Sequence, residues 1–448
     1  MAFTKVLFVT QAAIGCFALF LVLVEALDYN PVDTGQTYCF DDVESVDCPY
    51  QNVDGDFAGQ DGNWERNTPS YTDNGDNTIY DEVTGLTWTT VTDFDTRYTY
   101  DDGLALVDDY NSDEYAGYSD WRVPTTKELY SLMLFSGIDP DVTSTSTGSL
   151  TPFIDDDVFP FEYGSGDYRT VDVQFVTDTL CLDPLMGTDE EFFFGVNFAD
   201  GRIKGYETYL TRDQFYVMLV RGNENYGTND FQEDANGMTI TDSNTGLTWT
   251  KSDSGVGLTW EAALWYCEEF ELAGYSDWRL PNAKELHTLV NYSRSPDSTG
   301  SAAIDEIFNV TEITNEGGES DFPWYWTSTT HECSACTDAG ANGVYITFGR
   351  AMGYYDGEWV DVHGAGCQRS DPKAGDPDDY PYGNTLAPQG DAVRIYNYAR
   401  CVRGGDASWS LGTLSAAGDS TGRKRAWGIS LLTSIVTAIT VNFLTQGS

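Results

Sequence analysis

Two stretches of the chain, 117–129 and 274–286, show the same order of polar and apolar positions. Each begins with a Gly-Tyr-Ser-Asp turn, continues through Trp-Arg, and reaches a proline two residues after the arginine. Thr125 or Asn282 then stands three residues before a glutamate, which is the spacing of a helix capping box. Apolar residues follow at i, i+3 and i+4: Leu129, Leu132 and Met133, and Leu286, Leu289 and Val290. Each copy therefore predicts a turn that leads into a helix with one apolar face.

A second helix is predicted upstream of each stretch. In 259–270 the apolar stripe is Trp260, Ala263, Leu264 and Cys267, and the first copy has Tyr100, Gly103, Leu104 and Val107 at matching positions. Alternating, β-branched or aromatic runs predict short strands at 84–89, 245–250, 324–329, 344–350 and 399–405. The run 192–198 stands in the first copy in place of the Trp-rich strand 324–329.

The motifs keep their order in both halves while the distances between them change, which indicates a duplicated domain with loop insertions. We assign 71–223 to repeat 1 and 224–406 to repeat 2. Each is expected to fold as its own α+β unit with two helices and short antiparallel strands. Residues 27–70 are predicted to form an N-terminal extension packed on repeat 1.

The two ends of the chain predict export. Residues 1–26 combine Lys5, an apolar run and a small-residue cleavage site, as a signal peptide does; an uncleaved anchor is the alternative. At the other end, a Ser/Gly-rich linker at 407–428 precedes a hydrophobic tail at 429–448. This order is typical of a GPI-anchor signal, and a helix that packs on the protein or anchors it weakly is the alternative. The predicted location is extracellular or at the cell surface, with membrane contact through the tail.

Charge narrows the choice of partners. The 448 residues include 72 Asp and Glu against 23 Lys and Arg, a net charge of −49. Nucleic acid is excluded as a partner because phosphate binding needs clustered Lys and Arg. A solvated acidic surface and cation binding both fit such a balance. Calcium is the one cofactor indicated, with Asp73 and Asp76 as candidate ligands in an Asp-rich loop that lacks the full calcium-loop pattern; a solvated turn is the alternative.

The cysteines predict disulfides in an oxidising compartment, because removal of Cys16 with the signal leaves an even number. The first copy replaces Cys267 and Cys401 with apolar Val107 and Leu219, which suggests that the two positions touch and form a disulfide. Local pairs are expected between Cys39 and Cys48 and between Cys333 and Cys336. Cys181 and Cys367 would then be left to join the two repeats. A zinc set of His331, Cys333, Cys336, His363 and Cys367 is the competing hypothesis.

The motif order resembles that of the Lcl C-terminal (collagen-like adhesin C-terminal) domain family. The matching pieces are Thr-Gly-Leu-Thr-Trp at 84–88 and 245–249, Gly-Tyr-Ser-Asp-Trp-Arg at 117–122 and 274–279, Trp-Thr-Ser-Thr at 326–329 and Arg-Cys-Val-Arg-Gly at 400–404. The family is similar in turn to the formylglycine-generating-enzyme and C-type-lectin-like fold. The resemblance implies two tandem domains of that fold and an adhesive or glycan-binding role.

Two functions follow from these features. The first is a non-enzymatic adhesion or glycan-binding protein whose partners are extracellular glycans or surface polymers, with Trp324, Tyr325, Tyr355 and Trp359 stacking on sugar rings; core packing is the alternative for these aromatics. The second is a formylglycine-generating-enzyme-like enzyme or a metal-binding module. We expect the protein to have no enzymatic activity. No Ser-His-Asp set is visible, and Cys401 stands alone where the formylglycine-generating-enzyme fold has a copper-binding cysteine pair. For the Trp-Arg pairs Trp121–Arg122 and Trp278–Arg279, a structural role is favoured over ligand binding.

Overall fold

The computed structural model describes residues 29–48, 57–91, 93–211, 214–334, 336–380, 390–405 and 408–409. The predicted signal peptide, most of the 407–428 linker and the 429–448 tail lie outside these residues. Within the described ranges, no helix has the length and apolar character needed to cross a membrane.

The N-terminal extension lies along the junction of the two repeats. It contains β1 (Cys39–Phe40), β2 (Ser45–Val46), a 3-10 helix (Asp61–Asn63) and β3 (Trp64–Glu65), and β3 pairs with the C-terminal β22 (Ser408–Trp409). The Gln36 side-chain amide donates to the carbonyls of Phe135 (3.1 Å) and Thr330 (2.9 Å), one in each repeat. The extension thus packs on repeat 1, as predicted, and also on repeat 2, because its polar side chains bond backbone groups of both repeats.

The two repeats contain matching elements. Repeat 1 has β4 (Tyr71–Asp73), β5 (Thr78–Asp81), β6 (Leu86–Thr89), α1 (Tyr100–Ser112), a 3-10 turn (Tyr115–Gly117), α2 (Thr126–Tyr130), β7 (Gln174–Phe175), β8 (Phe192–Asn197), β9 (Arg202–Glu207) and β10 (Val220–Gly222). Repeat 2 has β11 (Phe231–Glu233), β12 (Thr239–Asp242), β13 (Leu247–Thr250), α3 (Trp260–Glu268), α4 (Ala283–Thr288), α5 (Pro296–Thr299), β14 (Ile313–Thr314), β15 (Ser320–Asp321), β16 (Trp324–His331), β17 (Asn342–Thr347), β18 (Met352–Tyr355), β19 (Glu358–Asp361), β20 (Gln368–Pro372), a 3-10 turn (Pro377–Asp379) and β21 (Val402–Gly404).

Each repeat forms one four-stranded antiparallel sheet of its own, in the order β10-β6-β5-β4 and β11-β12-β13-β21. The mixed helix-and-sheet class is confirmed, and repeat 2 adds the four-residue α5 to its two predicted helices. The expectation that each repeat folds as its own unit is wrong. A six-stranded sheet, β16-β17-β20-β9-β8-β7, runs through both repeats because the edge strands β9 and β20 pair with each other. This pairing covers two sheet edges that would otherwise be open, and one core cluster contains residues of both repeats.

The order of this sheet corrects one alignment made from the sequence. β8, which contains the Phe-rich run, corresponds to β17 rather than to the Trp-rich β16. The true counterpart of the Thr-Ser-Thr segment of β16 follows β7. Thr177 donates to the Phe194 carbonyl (2.5 Å) as Thr327 donates to that of Val344 (2.9 Å). A Thr-x-Thr pattern shared by 177–179 and 327–329 was the available signal.

The Trp-Arg stretches have the same geometry in both repeats. Trp121 and Trp278 are buried in the core. Arg122 makes a two-pronged ion pair with Glu128 (2.7 and 2.5 Å), and Arg279 does so with Glu285 (2.5 and 2.6 Å). Each glutamate is also the N3 residue of a capping box, so one carboxylate caps the helix and fixes the preceding loop.

The lysine after each helix start joins the two repeats. Lys127 donates to the carbonyl of Thr288 (2.8 Å) at the end of α4, and Lys284 donates to that of Ser131 (2.8 Å) at the end of α2. These contacts are reciprocal, since each lysine and each acceptor occupies the same place in its repeat. Burial lowers the pKa of Lys284 to about 7 and that of Lys127 to about 8.

We expect Lys284→Met to lower the free energy of unfolding by about 1–3 kcal/mol, because it leaves the buried carbonyls of Ser131 and Asp33 without a donor. Lys251→Met is the control, since Lys251 pairs with Glu233 near the surface and should cost less than about 1 kcal/mol. Denaturant titration measures both. Equal losses in the two variants would contradict the reciprocal-lysine account.

The two Arg–Glu pairs differ in exposure, which makes each a control for the other. The Arg279 side chain is 4% exposed and that of Arg122 is 31% exposed. Arg279→Gln should cost about 3 kcal/mol of stability because it leaves Glu285 buried with a weakened partner. Arg122→Gln should cost roughly 1 kcal/mol, since water reaches this site. A larger loss in the Arg122 variant, measured by the same titration, would be inconsistent with this explanation.

Candidate functional site

Two of the four aromatic residues predicted to bind a ligand are core residues. Trp324 is 1% exposed and stacks on Tyr345 with ring centroids 4.7 Å apart, while Tyr325 is fully buried and donates its hydroxyl to Asp253 (2.7 Å). Their ligand-binding prediction is wrong because both faces of β16 are covered. Trp324 enters one hydrophobic cluster and Tyr325 another.

The other two lie on the hairpin of β18 and β19, on opposite faces. Tyr354 pairs with Trp359 across the hairpin and Tyr355 pairs with Glu358, so alternation places Trp359 and Tyr355 on different sides. Trp359 is half-buried against Tyr354 and the side of the hairpin that faces Gly317. Tyr355 is 39% exposed and shares its face of the hairpin with Val360, which lies near Gly187 of repeat 1. The four aromatics therefore do not form one platform.

Tyr355 instead takes part in an apolar surface where the repeats meet. We call Leu182, Tyr209 and Tyr355 the seam surface; these side chains are 43%, 46% and 39% exposed. Partial burial, the charges of Glu207 and Glu190 and the Tyr355 phenol raise the pKa of Tyr209, so Tyr355 lies within electrostatic range of Tyr209. The Tyr209 ring also lies 6.5 Å from that of Phe192, whose carbonyl accepts from the Cys181 amide next to Leu182.

The hairpin is held firmly on repeat 1. The Met186 amide donates to the Asp361 carbonyl (2.7 Å), and the Gly205 amide donates to that of His363 (3.1 Å). The Asp361 carboxylate accepts from the amides of His363 and Gly364 at the base of the hairpin. Burial and, more weakly, the charge of Asp321 raise the pKa of Asp361 to about 7. Tyr355 therefore lies on a hairpin whose backbone is hydrogen-bonded to repeat 1.

Beneath the hairpin lies a network of buried charges. His363 bonds Asp391 (3.0 Å), and Arg369 pairs with the other oxygen of the same carboxylate. The charge of Arg369, followed by that of His363, outweighs burial and holds the pKa of Asp391 far below its usual value. His331, at the end of β16, is bonded to the Asp200 carbonyl and the Ser370 hydroxyl (both 3.0 Å). Burial and nearby arginines lower the pKa of both histidines to about 4.

These contacts overturn the zinc hypothesis. Cys333 and Cys336 form a disulfide, while His331 and His363 bond different protein groups. Among the described residues, no three His, Cys, Asp or Glu side chains are grouped to hold a metal ion. The candidate calcium ligands lie in one turn, and calcium binding there stays a prediction. Asp73 accepts from the Gly75 amide (2.8 Å) and Asp76 from the Thr78 hydroxyl (2.6 Å), so both close a turn.

The predicted disulfides Cys39–Cys48, Cys267–Cys401 and Cys333–Cys336 are confirmed. They fit an extracellular protein. The proposed bridge between Cys181 and Cys367 is wrong, since both are free thiols. Cys367 is buried with its sulfur accepting from the Thr347 hydroxyl (3.5 Å), and the Cys181 sulfur packs against the backbone at Gly205 and Gly364.

Sequence reasoning missed Tyr209, Leu182 and the lysine pair. The lysines had a signal, since Lys-Glu-Leu recurs unchanged at 127–129 and 284–286. Tyr209 and Leu182 had none, because neither belongs to a repeated motif. Tyr209 and Leu182 become part of a surface only when the β18–β19 hairpin of repeat 2 packs against repeat 1.

The lowered histidine pKa values predict a loss of stability in acid. Between pH 6.5 and about 4, His363 is protonated in the unfolded protein but not in the folded protein. The free energy of unfolding therefore falls as the pH falls through this range. His363→Gln should make the dependence less steep by up to about 1.4 kcal/mol per pH unit. The raised pKa of Asp361 and Asp371 acts in the opposite sense, so the comparison is between variant and parent. Denaturant titrations at several pH values measure it, and identical slopes would refute it.

The model of the Lcl C-terminal domain family matches residues 77–221 and 238–362, together more than half of the chain. These segments include both Trp-Arg stretches and end, in repeat 2, before β20 and β21. No curated protein and no solved structure gives a significant match. The chain belongs to the Lcl C-terminal domain family, of which it carries two tandem copies.

Proposed function

We propose that this protein is a non-enzymatic, extracellular or cell-surface adhesion protein that binds a glycan or surface polymer on the seam surface. The observation that carries the proposal is the exposure of two neighbouring tyrosines, Tyr209 and Tyr355, contributed by different repeats. A tyrosine ring combines an apolar face with a polar hydroxyl, which suits the alternating apolar and hydroxyl faces of a sugar.

The groups around these rings support the same ligand class. Glu190 and Glu358 are exposed beside Tyr209 and Tyr355, and Glu207 is half-buried two residues before Tyr209. Carboxylates are acceptors only, so they suit a ligand rich in hydroxyl donors. A nucleic acid would instead be repelled by these charges.

The supports of the seam surface also favour binding. The hairpin that carries Tyr355 is fixed to repeat 1 through backbone bonds, so little conformational freedom is lost when a ligand settles on it. The implied relation to the C-type-lectin-like fold agrees with this use. The alternative of a formylglycine-generating-enzyme-like activity has less support, since Cys401 is bonded to Cys267 and is not available as a metal-binding thiolate.

The proposal is tested on a glycan array and then by calorimetry with the best ligand. Tyr355→Ala and Tyr209→Ala should each weaken binding about tenfold through loss of a stacking ring. Tyr396→Ala is the control, because Tyr396 is 53% exposed, lies beside Gly257 and is not part of the seam surface. Absence of any saturable glycan or polymer binding, or equal losses in all three variants, would argue against the proposal.

A further inference from the structure

A narrow cleft of about 10 Å³, with room for about one water-sized group and partly open to solvent, lies beside the seam surface. Leu182 belongs to both. Repeat 1 contributes Cys181 and Asp183 to its walls, and repeat 2 contributes Tyr292, Arg294 and Ser295. The cleft therefore exists only because the repeats are joined.

Asp183 is the chemically distinctive group of this cleft. It is 5% exposed, and its Oδ2 accepts from the Asp297 amide (3.3 Å). Its Oδ1 has no hydrogen-bond partner within the described part of the chain. A buried carboxylate oxygen without a donor is costly, so it marks a place where a donor is expected.

Two arginines around this cleft are engaged with other groups. Arg350 pairs with Asp297, and Arg294 donates to the Ser301 hydroxyl (3.2 Å) and lies 3.8 Å from Glu306. Neither forms an ion pair with Asp183 in the described structure. Asp183 therefore belongs to no ion pair in the described structure, although Arg294 also lines the cleft.

We infer that the cleft binds a protonated primary amine, with Asp183 as its acceptor. An ammonium group is compact enough for a narrow cleft and brings both the missing donor and the missing charge. The net charge of −49 favours the approach of a cation. This inference rests on the proposed function: because Leu182 connects cleft and seam surface, the amine belongs to an amino sugar whose chain stacks on Tyr209 and Tyr355.

The N-acetylated form of the same sugar is the ligand to compare with the amino sugar. Its amide is neutral and bulkier, so it supplies a donor but does not balance the charge of Asp183. Glucosamine oligomers and N-acetylglucosamine oligomers of equal length differ only at this group. Calorimetry with both oligomers separates amine recognition from general sugar binding.

We expect the unaltered protein to bind the glucosamine oligomer about tenfold more tightly than the acetylated one, as a charge-assisted bond implies. Asp183→Asn should remove this preference and leave binding of the acetylated oligomer unchanged. Asp189→Asn is the matched control: it removes the same charge from an exposed position on the same loop and should keep the preference. The comparison of oligomers on the unaltered protein stands even if the Asp183 variant fails to fold.

Several results would overturn the inference. Equal binding of the two oligomers would remove the amine assignment while leaving the proposed function intact. A preference that survives Asp183→Asn would trace it to the acidic surface in general. Spermidine, an amine without a sugar ring, should bind at least tenfold more weakly than the glucosamine oligomer, and equal affinity would refute the amino-sugar source. Failure of both oligomers together with an empty glycan array would reject the proposed function itself.

Discussion

The reciprocal lysine contacts are the interaction on which the joined architecture depends. An ammonium group taken out of water must find acceptors, and Lys127 and Lys284 each find one at the end of the other repeat's helix. Each lysine stands one residue before the glutamate that caps its own helix and holds the Trp-Arg arginine. The same short stretch therefore shapes the loop, starts the helix and fixes the neighbouring repeat. With α2 and α4 held in this way, β9 and β20 are placed to pair.

Joining the repeats turns a symmetric duplication into an asymmetric surface. β8 and β9 are separated by a short turn, whereas β17 and β20, their counterparts, are separated by the hairpin of β18 and β19. That insertion contacts repeat 1 at Met186 and brings Tyr355 within electrostatic range of Tyr209. The equivalent position on the other side of the molecule has no hairpin to contribute. A binding surface at the seam thus arises from the difference between the copies, while the stability of the frame arises from their likeness.

The extreme acidity of the chain has a structural side. Basic residues are scarce, and several of them are buried in the interior: Arg66, Arg279, Lys284, Lys373 and Arg400. They bond carboxylates and backbone carbonyls that would otherwise be costly to bury. Most of the acidic excess is consequently left on the surface, where water solvates it. Asp183 is an exception, since it is buried and no internal cation pairs with it in the described structure.

Features that depend on neighbouring residues could be predicted from the sequence. Capping boxes, helix stripes, the order of the duplicated motifs and the disulfide between Cys267 and Cys401 could all be predicted, because spacing or paired replacement encodes them. It could not determine exposure at Trp324 and Tyr325, since alternation along a strand does not tell whether both faces are covered. Nor could it place Tyr209, Leu182 and Asp183, which come together only when β9 meets β20. The candidate site could be recognised only in the folded chain. It is built from contacts between the repeats, and the residue patterns within each repeat do not encode those contacts.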